Sequence, residues 1–404
     1  MSPALTALTS SALSLPGLAG TAAADSPYDR FRADYSYSFY SEDNMKSSQV
    51  VPGATTERYE IGTHQLRLAA PIAERFDVGF DFVYESMSGA TPWYLVPDTE
   101  TGKPVQVMTG ATIEEERYDA RLGASYYLDN GRLGLGGGVS LENDYMAGYG
   151  SLSGETHFNE KNTTLSGGLG FSLDTIEPTG GGTEGRVVKE DKQSYSLMAG
   201  VSQILGRGNA ISSTFNFRHS NGFLSDPYKR VLVGIDVGGG IVPTPVPDSR
   251  PDMRNQGSLL TRYRHHVESI GGTLHADYQF ALDDWQIMSH TIEAAWYQNL
   301  WRWLRVVPSM RYYSQSQAKF YAPWFNSAPS SGHYSADYRL SPYGALSWRT
   351  RVETRFVTWG LDWMAAFGYE RYIADKDFAL GKVQVGNPGL VSYNLLSVTL
   401  TGRF

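Results

Sequence analysis

The sequence predicts a transmembrane antiparallel β-barrel of about sixteen strands. Three observations predict it. Apolar and polar residues alternate over runs of about ten residues, and the connections between these runs are alternately short and long. Beyond the N-terminal segment, no apolar stretch reaches the roughly eighteen residues that a membrane helix requires.

The alternation is clearest between residues 76 and 85. One face of this segment carries large apolar side chains, namely Phe76, Val78, Phe80, Phe82 and Tyr84. The opposite face carries Asp77, Asp81 and Glu85, which a dry protein core would not accept unpaired. A strand between lipid and a watery lumen accepts both faces.

Composition agrees with this fold and excludes other classes. Of the 404 residues, 13% are aromatic, 43 are glycine and only 19% are charged, below the usual quarter for soluble domains. The absence of cysteine excludes disulfides and thiolate metal sites. The formal charge of −8 argues against nucleic acid as a partner.

The N-terminal segment resembles a secretory signal. An apolar run from Ala4 to Ala19 leads to the small residues Ala22 to Ala24, which fit an A-x-A cleavage pattern. The Lys or Arg expected before this run is absent, so the true start of the signal is left open. We expect residues 1–24 to be the signal peptide and 25–404 to form one barrel domain in the outer membrane of a Gram-negative bacterium.

The connections supply a second test, because such barrels have tight periplasmic turns and longer extracellular loops. Asn130-Gly131 and Gly206 to Asn209 are strong hairpin signals, and Arg349 to Val352 is predicted as another short turn, between strands at 335–348 and 353–372. The loop from Phe223 to Gln256 contains Pro243, Pro245, Pro247 and Pro251, which predict a stiff, unpaired segment able to constrict the lumen.

The ends of the strands carry two further signals. Leu396, Val398, Leu400 and the terminal Phe404 alternate along one face, as in the last strand that barrel-insertion machinery reads. Trp301 and Trp303 flank a predicted periplasmic turn, and Trp359 and Trp363 are predicted on the outward face of the fifteenth strand, as aromatic girdles require.

Four stretches resemble an uncharacterised bacterial family catalogued as domain of unknown function 3570. They are Arg58 to Pro71, Lys189 to Gln203, Tyr312 to Trp324 and Tyr338 to Leu346. The resemblance covers nearly the whole mature chain and implies an outer-membrane barrel without known catalytic residues. The resemblance also implies a role in redox processes of the cell envelope, and therefore a periplasmic redox partner.

The lumen is the first place to look for a function, since sixteen strands enclose a wide interior. Opposed basic and acidic rows would select polar solutes, whereas pairing across neighbouring strands would only stiffen the wall. The predicted lining residues are Asp77, Asp81, Glu85, Glu115, Arg117, Asp119, Arg121, Arg262, Arg264, Arg305, Arg311, Asp337 and Arg339, with Asp277, Asp362 and Glu370 beside them.

Histidines give little support for a metal site. His265 and His266 are adjacent and point to opposite faces of a strand, whereas His266 and His275 can share the lumen face across a hairpin. Two ligands are fewer than zinc usually takes, so we expect no metal and no cofactor.

Three functions follow as hypotheses. The first is a porin-like channel for small polar solutes, or a conduit for a periplasmic partner. The second is a hydrolase at the extracellular rim, built from His219, Ser220 and Asp226, or from His333 and Asp337. The third is a structural sleeve around a redox partner. The expected partners are outer-membrane lipid and the barrel-insertion machinery; the transported solute and the oligomeric state are left open.

Overall fold

Sixteen antiparallel strands close into a barrel, which confirms the predicted fold and strand number. The computed structural model describes residues 30–109, 113–183 and 185–404, so the predicted signal peptide lies outside the described residues. The barrel strands are β1 (Arg32–Glu42), β2 (Glu60–Ala73), β3 (Phe76–Gly89), β6 (Ile113–Leu128), β7 (Gly131–Glu142), β8 (Tyr145–Phe158), β9 (Thr163–Ile176), β10 (Glu190–Gly206), β11 (Asn209–Gly222), β14 (Met253–Val267), β15 (Gly272–Asp283), β16 (Met288–Asn299), β17 (Leu304–Gln315), β19 (Tyr343–Thr358), β20 (Leu361–Asp375) and β21 (Ser392–Arg403).

Five further strands lie in the long loops at one end of the barrel. They are β4 (Pro92–Pro97), β5 (Pro104–Met108), β12 (Arg230–Asp236), β13 (Ile241–Pro247) and β18 (Trp324–Phe325). β4 pairs with β5, and β12 lies between β13 and β18. Four single-turn 3₁₀ helices cover Ser47–Gln49, Glu268–Ile270, Tyr338–Leu340 and Lys376–Phe378. Within the described residues, no helix is long and apolar enough to span a membrane.

The last strand closes the barrel against the first. β21 pairs antiparallel with β1, so that Leu396 lies opposite Phe39 and Val398 opposite Tyr37. The Phe404 ring packs against Phe31 and Trp363, each with ring centroids 5.7 Å apart. Because both terminal strands are paired on both sides, the sheet has no free edge.

The outward face is apolar along the strands. Leu122, Leu135 and Leu169 are 66%, 66% and 58% exposed, a level that a soluble protein would avoid over so many neighbouring strands. No Asp, Glu, Lys or Arg lies on the outward face of β11, β14, β15, β16, β17 or β19. This surface therefore fits hydrocarbon and not water.

A charge placed in the apolar band should destabilise the barrel. Leu169 lies at the middle of β9 on the outward face, so Leu169→Arg should cost about 2–4 kcal/mol of unfolding free energy in lipid vesicles. Ser166→Arg is the matched control, because this position faces the lumen directly opposite Glu155 on β8. Equal losses for both variants in a denaturant titration would rule out the assigned membrane face.

The predicted strand positions fail around residue 350. Arg349 to Val352 is not a turn but the middle of β19, and the turn lies at Trp359-Gly360, where both residues have positive φ of 52° and 74°. A two-residue hairpin turn requires such angles. The charged residues of this stretch alternate along the strand and face the lumen. Trp359 is therefore 88% exposed in the turn and not on a strand.

The proline-rich loop was also predicted wrongly, because it forms a regular hairpin. β12 and β13 pair antiparallel, with Leu232 opposite Pro245 and Gly234 opposite Pro243. The prolines occupy every second position of β13, the edge strand of its sheet. Their missing N–H groups fall at the unpaired edge, so Val242, Thr244 and Val246 remain free to pair with β12.

Candidate functional site

The long loops at one end of the barrel pack into a single folded layer, which we call the cap. It consists of residues 90–109, 223–252, 316–342 and 376–391 and contains the loop strands. Leu95, Val231, Val233 and Ala336, contributed by three of these loops, are 1%, 0%, 2% and 6% exposed and form its apolar centre. The cap therefore has its own core and is not a set of separate loops.

The cap spans the mouth of the barrel. Sixteen tilted strands about 4.8 Å apart enclose a barrel roughly 30 Å across, so side chains on opposite walls do not meet. The roots of the loops 90–109 and 223–252 are separated by six strands, β6 to β11. Even so, the Lys229 ammonium group donates a hydrogen bond to the Pro92 carbonyl, and Leu95 packs with Val231. Such contacts require both loops to reach inward over the lumen.

Tyr338 and Gln315 help to fasten the cap to the wall. The Arg58 guanidinium, at the end of the β1–β2 connection, lies 5.7 Å from the centre of the Tyr338 ring, and the Lys229 ammonium lies 5.9 Å from it. Arg58 itself pairs with Glu42 of β1 at 2.6 Å. Gln315 of β17 donates to the carbonyls of Arg339 and Ser341 at 2.9 and 2.7 Å. The cap is thus fastened to several parts of the rim.

A buried charge network joins two of the cap loops. Arg250 pairs with Asp248 at 2.6 Å and with Asp337 at 2.7 Å. Arg339 pairs with Asp226 at 2.6 Å and also contacts Asp337. The Asp337 and Asp248 side chains are 0% and 1% exposed, so these two carboxylates are shielded from water. Removing one member would leave its partners buried without compensation.

The charges fix the protonation of this network. Burial alone would raise the pKa of Asp337, but Arg339, Arg250 and Lys229 hold it well below its usual range. The pKa of Asp226 is likewise lowered, because Arg339, Lys229 and Arg250 outweigh its burial. Burial lowers the pKa of Lys229 to about 8, against the attraction of Asp337 and Asp226. Burial raises the pKa of Asp248. The ionisation of this carboxyl group at neutral pH therefore opposes part of the stabilisation that Asp226 and Asp337 give to the closed cap.

Acid should therefore open the cap. Asp337 and Asp226 bind protons more weakly in the closed cap than in water, so their stabilising contribution is present above pH about 4 and is lost as the pH falls through their lowered pKa values. Solute flux into proteoliposomes should change little between pH 7 and 5 and should rise as the pH is lowered from about 4 to 2. Asp337→Asn should already be open at pH 7 and show a flatter profile; an unchanged flux in wild type would contradict this assignment.

Most of the predicted lining residues lie on the inward face of the wall and pair with close neighbours. Arg117 pairs with Glu85 at 2.9 Å, Asp119 accepts a hydrogen bond from Tyr149 at 2.9 Å, and Asp81 lies 3.5 Å from Arg67. The Asp77 carboxylate accepts from Tyr127 at 2.6 Å. On the other side, Asp277 contacts both Arg262 and Arg264, and Arg305 lies 3.5 Å from Glu353. Glu115, Arg121, Arg311, Asp362 and Glu370 share this inward face.

Two predicted lining residues lie elsewhere. Asp337 and Arg339 were assigned to a wall strand, but β19 begins only at Tyr343, and both residues belong to the cap. The Asp337 carboxylate accepts from the Arg339 backbone N–H at 3.1 Å and caps the 3₁₀ turn Tyr338–Leu340. The alternation continues through this turn by coincidence, which explains the error.

Two adjacent sectors of the wall, of six strands each, carry opposite net charge. The inward faces of β3 and β6 to β10 hold nine carboxylates and four bases: Asp77, Asp81, Glu85, Glu115, Asp119, Glu142, Glu155, Asp174 and Glu190 against Arg117, Arg121, Arg132 and Lys192. The inward faces of β11, β14 to β17 and β19 hold nine arginines and four carboxylates: Arg218, Arg254, Arg262, Arg264, Arg305, Arg311, Arg349, Arg351 and Arg355 against Asp277, Asp283, Glu293 and Glu353. Local pairing therefore coexists with a transverse field across the lumen.

The suggested hydrolase residues do not come together. His219 is on the outward face, 2.8 Å from Asn255, whereas Ser220 faces inward and lies 3.0 Å from Ser194. Asp226 and Asp337 are held by arginines. His266 bonds Thr273 at 2.9 Å, and in the part of the chain that the structure describes no three His, Asp or Glu side chains are grouped to hold a metal ion.

A chamber of about 700 Å³ lies beneath the cap, between the walls β8 to β11 and β14 to β17. Arg250, Arg339 and Leu340 of the cap form its roof, and Arg218 and Arg254 project from the wall. Sequence reasoning missed these arginines, apart from Arg339. Arg218 and Arg254 could have been found by extending the period-two pattern of the ninth and tenth strands, whereas Arg250 has no local signal.

The chain matches one family model and is similar to several solved structures. The family model described as "Protein of unknown function (DUF3570)" matches residues 5–387. The solved structures that resemble the fold include OccD3 (OpdP) of Pseudomonas aeruginosa, with 11% identity, a TM-score of 0.46, and 98% of this chain and 97% of that chain covered. A bacterial polysaccharide outer membrane secretin has 12% identity and a TM-score of 0.45, covering 92% and 98%.

The siderophore receptor PirA from Pseudomonas aeruginosa has 10% identity and a TM-score of 0.40; 86% of this chain is covered, and the chain spans only 56% of that receptor. No curated protein matches the chain in sequence.

Proposed function

The chain belongs to the DUF3570 family of proteins of unknown function, and for this member we propose a gated conduit for small polar solutes in the outer membrane of a Gram-negative bacterium. One observation carries the proposal. A barrel wide enough for an aqueous channel is covered at one mouth by a folded cap whose loops, rooted six strands apart, meet over the lumen.

The charged lining supports passage of polar solutes. Charged side chains line the inward face of β11, β14 to β17 and β19, whereas the outward face of the same strands carries none. Hydrated walls favour polar solutes over apolar ones, and charges on opposite sides orient those that carry a dipole.

The proposal also implies an orientation and partners. Short turns belong on the periplasmic side of such barrels, so the cap faces the outside. The outward apolar band contacts outer-membrane lipid, and the last strand, with Leu396, Val398, Leu400 and Phe404, is the segment that the insertion machinery would read. A periplasmic redox partner stays a sequence-based hypothesis, since no contact within the described residues favours it.

Solute entry into proteoliposomes tests the proposal. In the test variant, a Gly-Ser-Gly linker replaces the hairpin strands β12 and β13, residues 230–247. Arabinose should enter slowly through the wild type and at least tenfold faster through this variant, because the cap loses Val231 and Val233 from its core. Absence of flux in both proteins would refute a conduit, and equally fast flux in both would refute the gate.

A further inference from the structure

We propose that the chamber beneath the cap binds small polar anions through the guanidinium groups of Arg218, Arg254, Arg250 and Arg339. The inference rests on the proposed conduit and names the class of solute for it. A carboxylate and a phosphate group share the required chemistry, because both accept paired hydrogen bonds from arginine.

The charges on the chamber surface are almost all positive. Of the described residues that line it, four are arginines and one, Asp283, is a carboxylate. The carboxylates that neutralise the roof, Asp226, Asp248 and Asp337, are not among the lining residues. The Asp337 side chain is fully buried, whereas that of Arg339 is 28% exposed. A solute in the chamber therefore meets the arginines before it meets their partners.

Arg218 is the residue most available to a ligand. It projects from the inward face of β11, is exposed towards the open lumen, and lies opposite Gln256 of β14. Among the described residues, no carboxylate lies within ion-pair distance of its guanidinium, whereas Arg254 is held by Asp283 and lies 4.3 Å from the centre of the Trp285 ring. A fixed arginine beside an unpaired one is a suitable arrangement for capturing an anion.

The remaining surface of the chamber suits a hydroxylated solute. Its other polar groups are uncharged and include the amides of Asn216, Gln256 and Gln279 and the hydroxyl groups of Ser196 and Tyr313. Although β8, β9 and β10 belong to the acidic sector of the wall, they contribute only serine, glycine and apolar residues to this lining. A volume near 700 Å³ is ordinary for a small-molecule site.

Equilibrium binding to the detergent-solubilised full chain tests this inference. The probes for calorimetric titration are glucose 6-phosphate, glucuronate and glucose, which share a sugar ring and differ in charge. At least one anionic probe should bind saturably and at least tenfold more tightly than glucose. Preference for one anion identifies phosphate or carboxylate as the recognised group; binding of neither, or equal binding of glucose, would overturn the inference.

Variants separate the chamber from general wall charge. Arg218→Gln should weaken binding of the preferred anion about tenfold or more, since a charge-assisted hydrogen bond is lost. Arg132→Gln removes an arginine from the wall outside the chamber, paired with Glu155 at 3.4 Å, and should leave binding unchanged. An unaltered affinity in Arg218→Gln would overturn the assignment. Because binding is measured without a membrane, its outcome is independent of the flux measurement. Absence of binding overturns only this inference, whereas absence of flux overturns the proposed conduit.

Discussion

Replacing Val233 with aspartate should release the cap from the mouth and leave the barrel folded. Val233 is 2% exposed in the cap core, and an unpaired carboxylate placed there costs several kcal/mol. The barrel strands are held by a closed ladder of backbone hydrogen bonds that does not depend on this core. We therefore expect fast backbone hydrogen exchange in residues 223–252 and 316–342, slow exchange in the barrel strands, and raised solute flux.

Ile241→Asp is the matched control for this variant. Ile241 lies in the same hairpin but is 63% exposed, so its replacement should change neither exchange nor flux. Protection of the cap that is equal in Val233→Asp and wild type would contradict the cap core described above. Loss of protection throughout the barrel would show that the cap and barrel fold as one unit, contrary to the expectation.

The second large effect is expected at Asp337. Asp337→Ala removes the buried carboxylate that Arg250 and Arg339 share and leaves these two guanidinium groups with fewer partners. Breaking a buried ion pair from one side typically costs about 3–5 kcal/mol. Cap opening measured by hydrogen exchange in residues 316–342 should become easier by about that free energy.

Two comparisons make the Asp337 prediction specific. Asp98→Ala removes an exposed loop carboxylate that bonds only within its own turn, and cap exchange should be unchanged. Asp337→Ala combined with Arg339→Ala should destabilise the cap less than the sum of the single variants, because the stranded charge is also removed. Strict additivity would show that the two residues do not form the coupled pair that the geometry indicates.

The barrel could be predicted from the sequence because its cause is local. Lipid on one side and water on the other impose a period of two, so the contrast between Phe80 and Asp81 is visible within a few residues. Turn chemistry is equally local, as Asn130-Gly131 shows. Residues 349–352 contain no Gly, Pro, Asn or Asp, and the turn predicted there broke β19 too early.

The cap could not be predicted, because its contacts join residues far apart in the chain. Lys229 meets the Pro92 carbonyl, and Arg339 meets Asp226, across separations that no periodicity records. Prolines 243, 245 and 247 suggested an irregular segment. They fit an edge strand only because their missing N–H groups lie on the side of β13 that does not face β12, and the sequence does not show which side that is. The chamber is lined by both wall and cap. Its arginines therefore lie in different kinds of element and share no sequence pattern.

A reversible disulfide across the mouth tests most directly whether the cap is a gate. The chain has no cysteine, so Leu95→Cys with Val231→Cys places a single thiol pair in two cap loops rooted on distant walls. In planar bilayers the oxidised protein, with the cross-link verified by gel mobility, should show no channel openings, and reduction should restore them. A cross-linked protein that conducts as well as the reduced one would contradict a gate formed by the cap.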